Sequence, residues 1–225
     1  MNLQKTKLIQ YLCNDNLDVR DILVVKSAKV SLTLFVCYNE YGGYMRILVT
    51  RHGQTDWNVL KKVQGKADIS LNDTGREQAL ITKNALNNEK IDLIICSPLK
   101  RVRETAEIIN KDRNIKILFD DRISERDFGE FEGIETSNFD FRGYWDYYKN
   151  YKYDKAENIQ EFFKRVYNFL DSIIEEYKDK TILLVTHGGV SIPINCYFNK
   201  NIPEGSLVDA GLVLGNCQVK TYSKE

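Results

Sequence analysis

An α/β fold, built as a three-layer sandwich with a mostly parallel central sheet and helices on both faces, is the fold class this 225-residue sequence predicts. Three observations carry the prediction. The short runs "RILVT" (46–50), "IDLIIC" (91–96) and "TILLVT" (181–186) are apolar without alternation, as strands buried on both faces are. Segments with helical periodicity separate them, the arrangement of parallel strands joined by crossover helices. Each run also stops abruptly, in "TRHG", "CSPLKR" and "THGG". In open sheets of this kind ligands bind beyond the carboxyl ends of the strands.

The elements follow in order. Residues 1–44 stand apart: the runs "DILVV" and "VSLTLFVCY", separated by "KSAK", fit a β-hairpin. Regular strand and helix alternation begins only at Met45. Residues 1–44 are therefore expected to be an N-terminal extension, either a hairpin on the sheet edge or no part of the native protein, with Met45 as its natural start. Residues 45–225 form the main domain. After the strand at 46–50, residues 74–87 read as a helix opened by "TGRE". This is a capping box, in which the Thr74 hydroxyl takes one free N–H and Glu77 reaches back to another. The strand at 91–96 is followed by Ser97 as N-cap and Pro98 as a helix-ready first residue, with a helix to 110. Ile117 and Leu118 make a short strand, and a turn-rich acidic segment runs to Gly133.

Residues 134–156 are crowded with rings and poor in aliphatics, and are expected to form a surface subdomain or lid. Trp57, Trp145 and the tyrosines of this segment either face a ligand or pack the lid. Ile159, Phe162, Phe163, Val166, Phe169, Leu170, Ile173, Ile174 and Tyr177 recur at helical spacing, the stripe of a helix lying on the core. The strand at 181–186 follows, and after Pro193 the tail holds one more, at 217–222.

Composition excludes several classes. Apolar residues make up 43%, enough for a real core, and 32 basic residues balance 32 acidic ones. No field favours nucleic acid or an anionic membrane as partner. No apolar run approaches the ~20 residues that span a bilayer. The first 20 residues carry charges throughout, unlike a signal peptide. Five cysteines, none in a C-x-x-C pair, fit reduced thiols in a cytoplasmic protein. A monomer or homodimer is expected.

The chain has two histidines, His52 and His187, and both stand just beyond an apolar run. Arg51 and Arg101 offer planar forks suited to phosphate oxygens. Gly53, Gly188 and Gly189 would let backbone N–H groups approach a ligand, the helix after Ser97 would point its free N–H groups outward, and Asn58 adds a neutral donor. This is a site for a dianion, with no H-E-x-x-H or carboxylate–histidine cluster for a metal. Neutral imidazole is a nucleophile toward phosphorus, provided its other nitrogen is held as N–H by an acceptor such as a carbonyl. A departing alkoxide needs a proton from a carboxylic acid, and "ISERDFGEFEG" supplies four candidates: Glu125, Asp127, Glu130 and Glu132.

"RHGQTDWN", "QGKADISLNDTGREQA", "SPLKRVRETA", "ERDFGEFEG" and "VTHGG" occur in that order, and over residues 45–222 the chain resembles the histidine phosphatase superfamily, with its phosphoglycerate mutase-like fold. The resemblance implies that His52 is the phosphorylated nucleophile and that Arg51, Asn58, Arg101 and His187 surround the phosphoryl group. It implies that Glu125 is the acid, that Gln64 and Gly65 line the substrate side, and that neither metal nor cofactor is needed. The expected function is a metal-independent phosphomonoesterase acting on a small phosphorylated metabolite through a phosphohistidine. A cofactor-dependent phosphoglycerate mutase is the alternative, and a catalytically silent protein that binds phosphorylated ligands is the second. Only 61 residues separate Glu125 from His187, a short stretch in which to shelter a phosphohistidine from water, and this favours hydrolysis.

Overall fold

The computed structural model describes residues 45–224; the hairpin expected within residues 1–44 lies outside them. Five strands form one sheet in the order β3-β2-β4-β1-β5. They are β1 (Met45–Arg51), β2 (Leu93–Cys96), β3 (Ile117–Phe119), β4 (Thr181–Thr186) and β5 (Val219–Lys224). The first four are mutually parallel, and β5 runs antiparallel along β1. The three runs without alternation are the three inner strands, where both faces of the sheet are covered.

The two faces are sorted by residue parity. Ile47, Val49, Leu93, Ile95, Ile182 and Leu184 face one cluster, filled by α5 (Ile159–Glu176) and α6 (Gly188–Asn199). Leu48, Ile94, Leu183 and Val185 face the other, filled by Val102, Ala106 and Ile109 of α3 (Lys100–Asn110), beside which α2 (Asp73–Ala85) packs. The remaining helices, α1 (Asp56–Val59) and α4 (Phe141–Tyr144), are single turns. Helix α5 carries the predicted stripe: Ile159, Phe162, Phe163, Val166, Phe169, Leu170 and Ile173 are buried, and Ile174 and Tyr177 pack partly against them. Each such side chain contributes roughly 1.5–3 kcal/mol by leaving water. Asn158 caps its start, accepting from the amides of Gln160 and Glu161.

Several expected boundaries move. The cap of α2 is Asn72, whose side chain accepts from Gly75 N at 2.9 Å, so Thr74 lies inside the first turn and the capping box expected there does not form. The N-cap of helix α3 is Leu99 and not Ser97, so the helix starts at Lys100 and Pro98 stays outside it; Asp68 from a preceding loop accepts the Lys100 amide at 2.7 Å. The start of that helix is thus closed by a carboxylate. Helix α6 went unread because it is buried on all sides and contains Pro193, so it shows neither an amphipathic stripe nor an uninterrupted helical run. In the aromatic segment the rings pack on one another, Phe131 on Phe139 at 4.4 Å and Tyr144 on Phe128 at 4.6 Å. Trp145 carries that cluster onto Phe162 of α5.

Candidate active site

The strand order assembles the site. Because β4 lies between β2 and β1, the residues that follow these three strands emerge side by side: Ser97, His187 and His52. Backbone bonds extend the ladder one residue past the sheet, from Ser97 N to Val185 O at 3.1 Å and from His52 N to Thr186 O at 2.9 Å. The two imidazoles meet edge to face with centroids 5.4 Å apart, and both are buried. Arg51 ends β1, and Arg101 reaches in from the first turn of α3.

The acceptor required beside the first imidazole is the carbonyl of its own neighbour: His52 Nδ1 lies 2.7 Å from Gly53 O. A carbonyl only accepts, so Nδ1 carries the hydrogen and Nε2 presents a bare lone pair. Burial, then the positive charges of Arg101 and Arg51, hold the His52 pKa well below the ordinary imidazole value, against a weaker opposing pull from Gly53. The ring is neutral at physiological pH.

Arg51 and Arg101 are held by carbonyls, and among the described residues neither pairs with a carboxylate within 4 Å. Arg51 donates to Leu214 O at 3.1 Å. Arg101 donates to Ala67 O at 2.7 Å and Gly65 O at 2.8 Å, and to His187 Nδ1 at 3.2 Å. The Nε of each guanidinium is buried without a partner. Burial lowers both pKa values, that of Arg101 to about 10, so both stay charged near neutrality. A fully buried Arg101 and a half-buried Arg51, each with a buried Nε donor unused, form a site suited to an anion.

Of the four candidate acids, Glu125 is the one held at the start of α6, beside His187. Its Oε2 accepts from Gly189 N at 3.0 Å and its Oε1 from Arg126 N at 3.0 Å. Asp127 accepts from the Gly129 amide, Glu130 pairs with Lys155 at the surface, and Glu132 accepts from Lys66 N. Two of the three glycines act differently from the sequence expectation. Gly53 N is taken by Thr105 Oγ1 and Gly189 N by Glu125, so neither amide is free for a ligand. What the glycines provide is room: a Cβ on Gly53 would strike Gly75, one on Gly188 would press on the Arg51 guanidinium at 3.1 Å, and one on Gly189 would overlap Glu125 and Trp145.

The remaining expected residues support the first ones. Asn58 Oδ1 accepts from Thr55 N at 3.1 Å in a capping box, and Asn216 bridges that oxygen to His52 O. Gly65 adopts φ +51° and gives its carbonyl to Arg101, while Gln64 is buried with its Oε1 unpartnered. Sequence reasoning missed Ser97 as a partner of His187, and it missed Arg126 and Asn216; Trp145, expected either to face a ligand or to pack the lid, is buried against Phe162. Arg126 is fully buried, lies 3.5 Å from the Tyr144 ring and donates to the carbonyls of Glu157 and Tyr144. Its position next to Glu125 was the available signal. Among the described residues no group of three or more His, Cys, Asp or Glu is placed to hold a metal ion, and no helix is long and apolar enough to cross a membrane.

Comparison with known proteins places the chain in a family. The family model described as "Histidine phosphatase superfamily (branch 1)" matches residues 47–223. The chain is 38% identical to the Bacillus subtilis protein named "Uncharacterized phosphatase PhoE" over 142 residues, 63% of this chain and 71% of the relative. It is 30% identical to the Salmonella arizonae "Probable phosphoglycerate mutase GpmB" over 181 residues, 78% of this chain and 83% of the relative. The solved structure of Bacillus stearothermophilus YhfR superposes with a TM-score of 0.71 at 27% identity, covering 79% of this chain and 90% of that one.

Proposed function

The chain belongs to the histidine phosphatase superfamily and is a phosphatase, and we propose that it hydrolyses a small organic phosphate monoester through a phosphohistidine on His52, without a metal. The observation that carries this reading is the combination of a bare His52 Nε2, fixed by the Nδ1 contact to Gly53 O, with two guanidinium groups whose buried Nε donors are unused. Arg51 and Arg101 neutralise the incoming dianion, the task a metal would otherwise have. Nε2 attacks phosphorus as the bond to the ester oxygen breaks, and Glu125 gives its proton to the departing alkoxide. The resulting carboxylate then takes a proton from water. That water attacks phosphorus, the P–N bond breaks, and inorganic phosphate leaves with His52 restored.

The mutase reading has one point in its favour, the relative named a probable phosphoglycerate mutase. Hydrolysis is favoured by the short stretch between Glu125 and His187, most of which is spent on the ring cluster and on α5. Phosphorus NMR tests both: the protein is given 3-phosphoglycerate with 2,3-bisphosphoglycerate, and separately a panel of small monoesters. Phosphate release without isomer formation supports hydrolysis, and rapid 2-phosphoglycerate formation without inorganic phosphate overturns it. Activity on p-nitrophenyl phosphate should persist in chelator and vanish in His52→Ala. An acid-labile, base-stable phosphoryl group should be trapped on His52.

A further inference from the structure

His187 has no free donor for a phosphoryl group. Arg101 Nη2, 3.2 Å from His187 Nδ1, can only donate, so Nδ1 is the acceptor. The single hydrogen of the neutral ring therefore sits on Nε2 and is given to Ser97 Oγ at 2.8 Å. Ser97 is completely buried, and its own hydroxyl faces Ser124 Oγ at 3.3 Å. The Nε2–H thus points into the protein, onto Ser97, while Arg101 stands at the other ring nitrogen. A dianion placed against Arg101 would meet the lone pair of Nδ1, and the two would repel.

We infer that Ser97 is a positioning residue that fixes His187 with Nε2–H turned inward, so that phosphoryl binding draws a proton from solvent onto His187 Nδ1. The inference rests on the phosphatase reading above. In the bound state Nδ1–H donates to the anion, Nε2–H still donates to Ser97, and the ring carries one positive charge. The charges around it account for both states. Burial above all, then Arg101 from α3, the His52 ring and Arg51 from the end of β1, and Lys66 from the loop before α2, oppose protonation of His187 in the free protein. The twelve residues of α6 bring no charge, and Glu125 faces Arg51 and Arg101. The arriving dianion reverses the balance in one step.

With only two histidines in the chain, nitrogen-15 NMR of the imidazoles reads the answer directly, with His52→Asn used for assignment. In weakly alkaline buffer, where inorganic phosphate is a dianion, free His187 should show Nε2 protonated and Nδ1 bare. Saturating phosphate should protonate both nitrogens. Calorimetry in two buffers of different ionisation enthalpy should find close to one proton taken up for each phosphate bound. Ser97→Ala should weaken phosphate binding by about tenfold and reduce the uptake, and Ser97→Thr should restore both. A bound-state His187 with a single N–H, on either nitrogen, overturns the inference while leaving the phosphatase reading intact, and so does binding without proton uptake. Phosphate that binds nowhere near either imidazole overturns both. The wild-type spectra decide the question even if Ser97→Ala does not fold.

Discussion

Replacing Gly189 by alanine adds one carbon at the point where the acid is held. The new Cβ would stand 2.6 Å from Trp145 Cη2 and 2.9 Å from Glu125 Cδ, and nearer still to Glu125 Oε1. Comfortable separations are roughly 3.5 Å or more, so something must move by about 1 Å. Trp145 cannot retreat, because it is buried against Phe162 and beneath the Arg126 guanidinium. The Glu125 carboxylate, held only by the amides of Gly189 and Arg126, is the part that gives. A displacement of that size in a reacting group costs about 10²-fold in rate, and the added crowding costs about 1–3 kcal/mol of stability. The loss should fall on substrates that need leaving-group protonation. With glycerol phosphate the Gly189→Ala enzyme should turn over about 10²-fold more slowly, whereas p-nitrophenyl phosphate, whose leaving group departs with little help, should be nearly unaffected. Gly188→Ala is the control: its Cβ presses on Arg51, so it should weaken both substrates alike, through KM. Equal losses on the two substrates in Gly189→Ala, with circular dichroism showing an intact fold, would refute the placement of Glu125 as the acid.

Three further outcomes follow from the same geometry. Glu125→Gln should reproduce the leaving-group discrimination more severely, by about 10²–10⁴-fold on the alkyl ester; parallel losses on both ester types would move the role to another acid. Both histidines titrate lower in the folded protein than in the unfolded chain, where imidazole titrates near pH 6.5. The unfolded state then binds more protons below about pH 6.5, so stability is intact above that value and falls as pH drops, by up to about 1.4 kcal/mol per pH unit for each histidine. Urea unfolding at a series of pH values checks this, and His52→Asn should remove about half of the slope that the two histidines contribute. Arg126→Ala should destabilise the fold by about 3 kcal/mol or more, since it empties a buried volume and strips the Glu157 and Tyr144 carbonyls of their donor. An unchanged melting temperature would show that this guanidinium is dispensable to the core.

What the sequence disclosed about the fold was whatever leaves a periodic trace. The inner strands are apolar without interruption because both faces are covered, and α5 shows its stripe because only one side is. Helix α6 is the counter-example. It carries the same function as α5, packing one face of the sheet, but it is enclosed on every side and interrupted by Pro193, so residue type alone does not reveal it. Caps were the weakest part of the reading, since several polar residues lie near each helix start and tertiary contacts choose among them. Asn72 displaces Thr74 at α2, and Asp68 reaches across from another loop to close α3.

The site was legible to a different depth. Motif order and strand ends were enough to bring His52, His187, Arg51 and Arg101 to one place, because the sheet topology does that work irrespective of side-chain detail. Hydrogen-bond assignments were not legible, because they depend on distances between segments far apart in the chain. Ser97 shows the difference. In sequence it stands where an N-cap would, and a serine there is fully explained by capping. In the fold the cap lies two residues later, at Leu99, and the Ser97 hydroxyl, released from capping, takes the Nε2–H of His187. The glycines change their expected meaning in the same way: the amides of Gly53 and Gly189 are already donated to protein acceptors, and the missing Cβ atoms of Gly188 and Gly189 make space for Arg51 and Glu125. The chemistry therefore rests on how closely β1, β4 and their flanking loops approach one another. This is why a single methyl group at Gly188 or Gly189 is expected to separate anion binding from proton donation, two roles that no motif distinguishes.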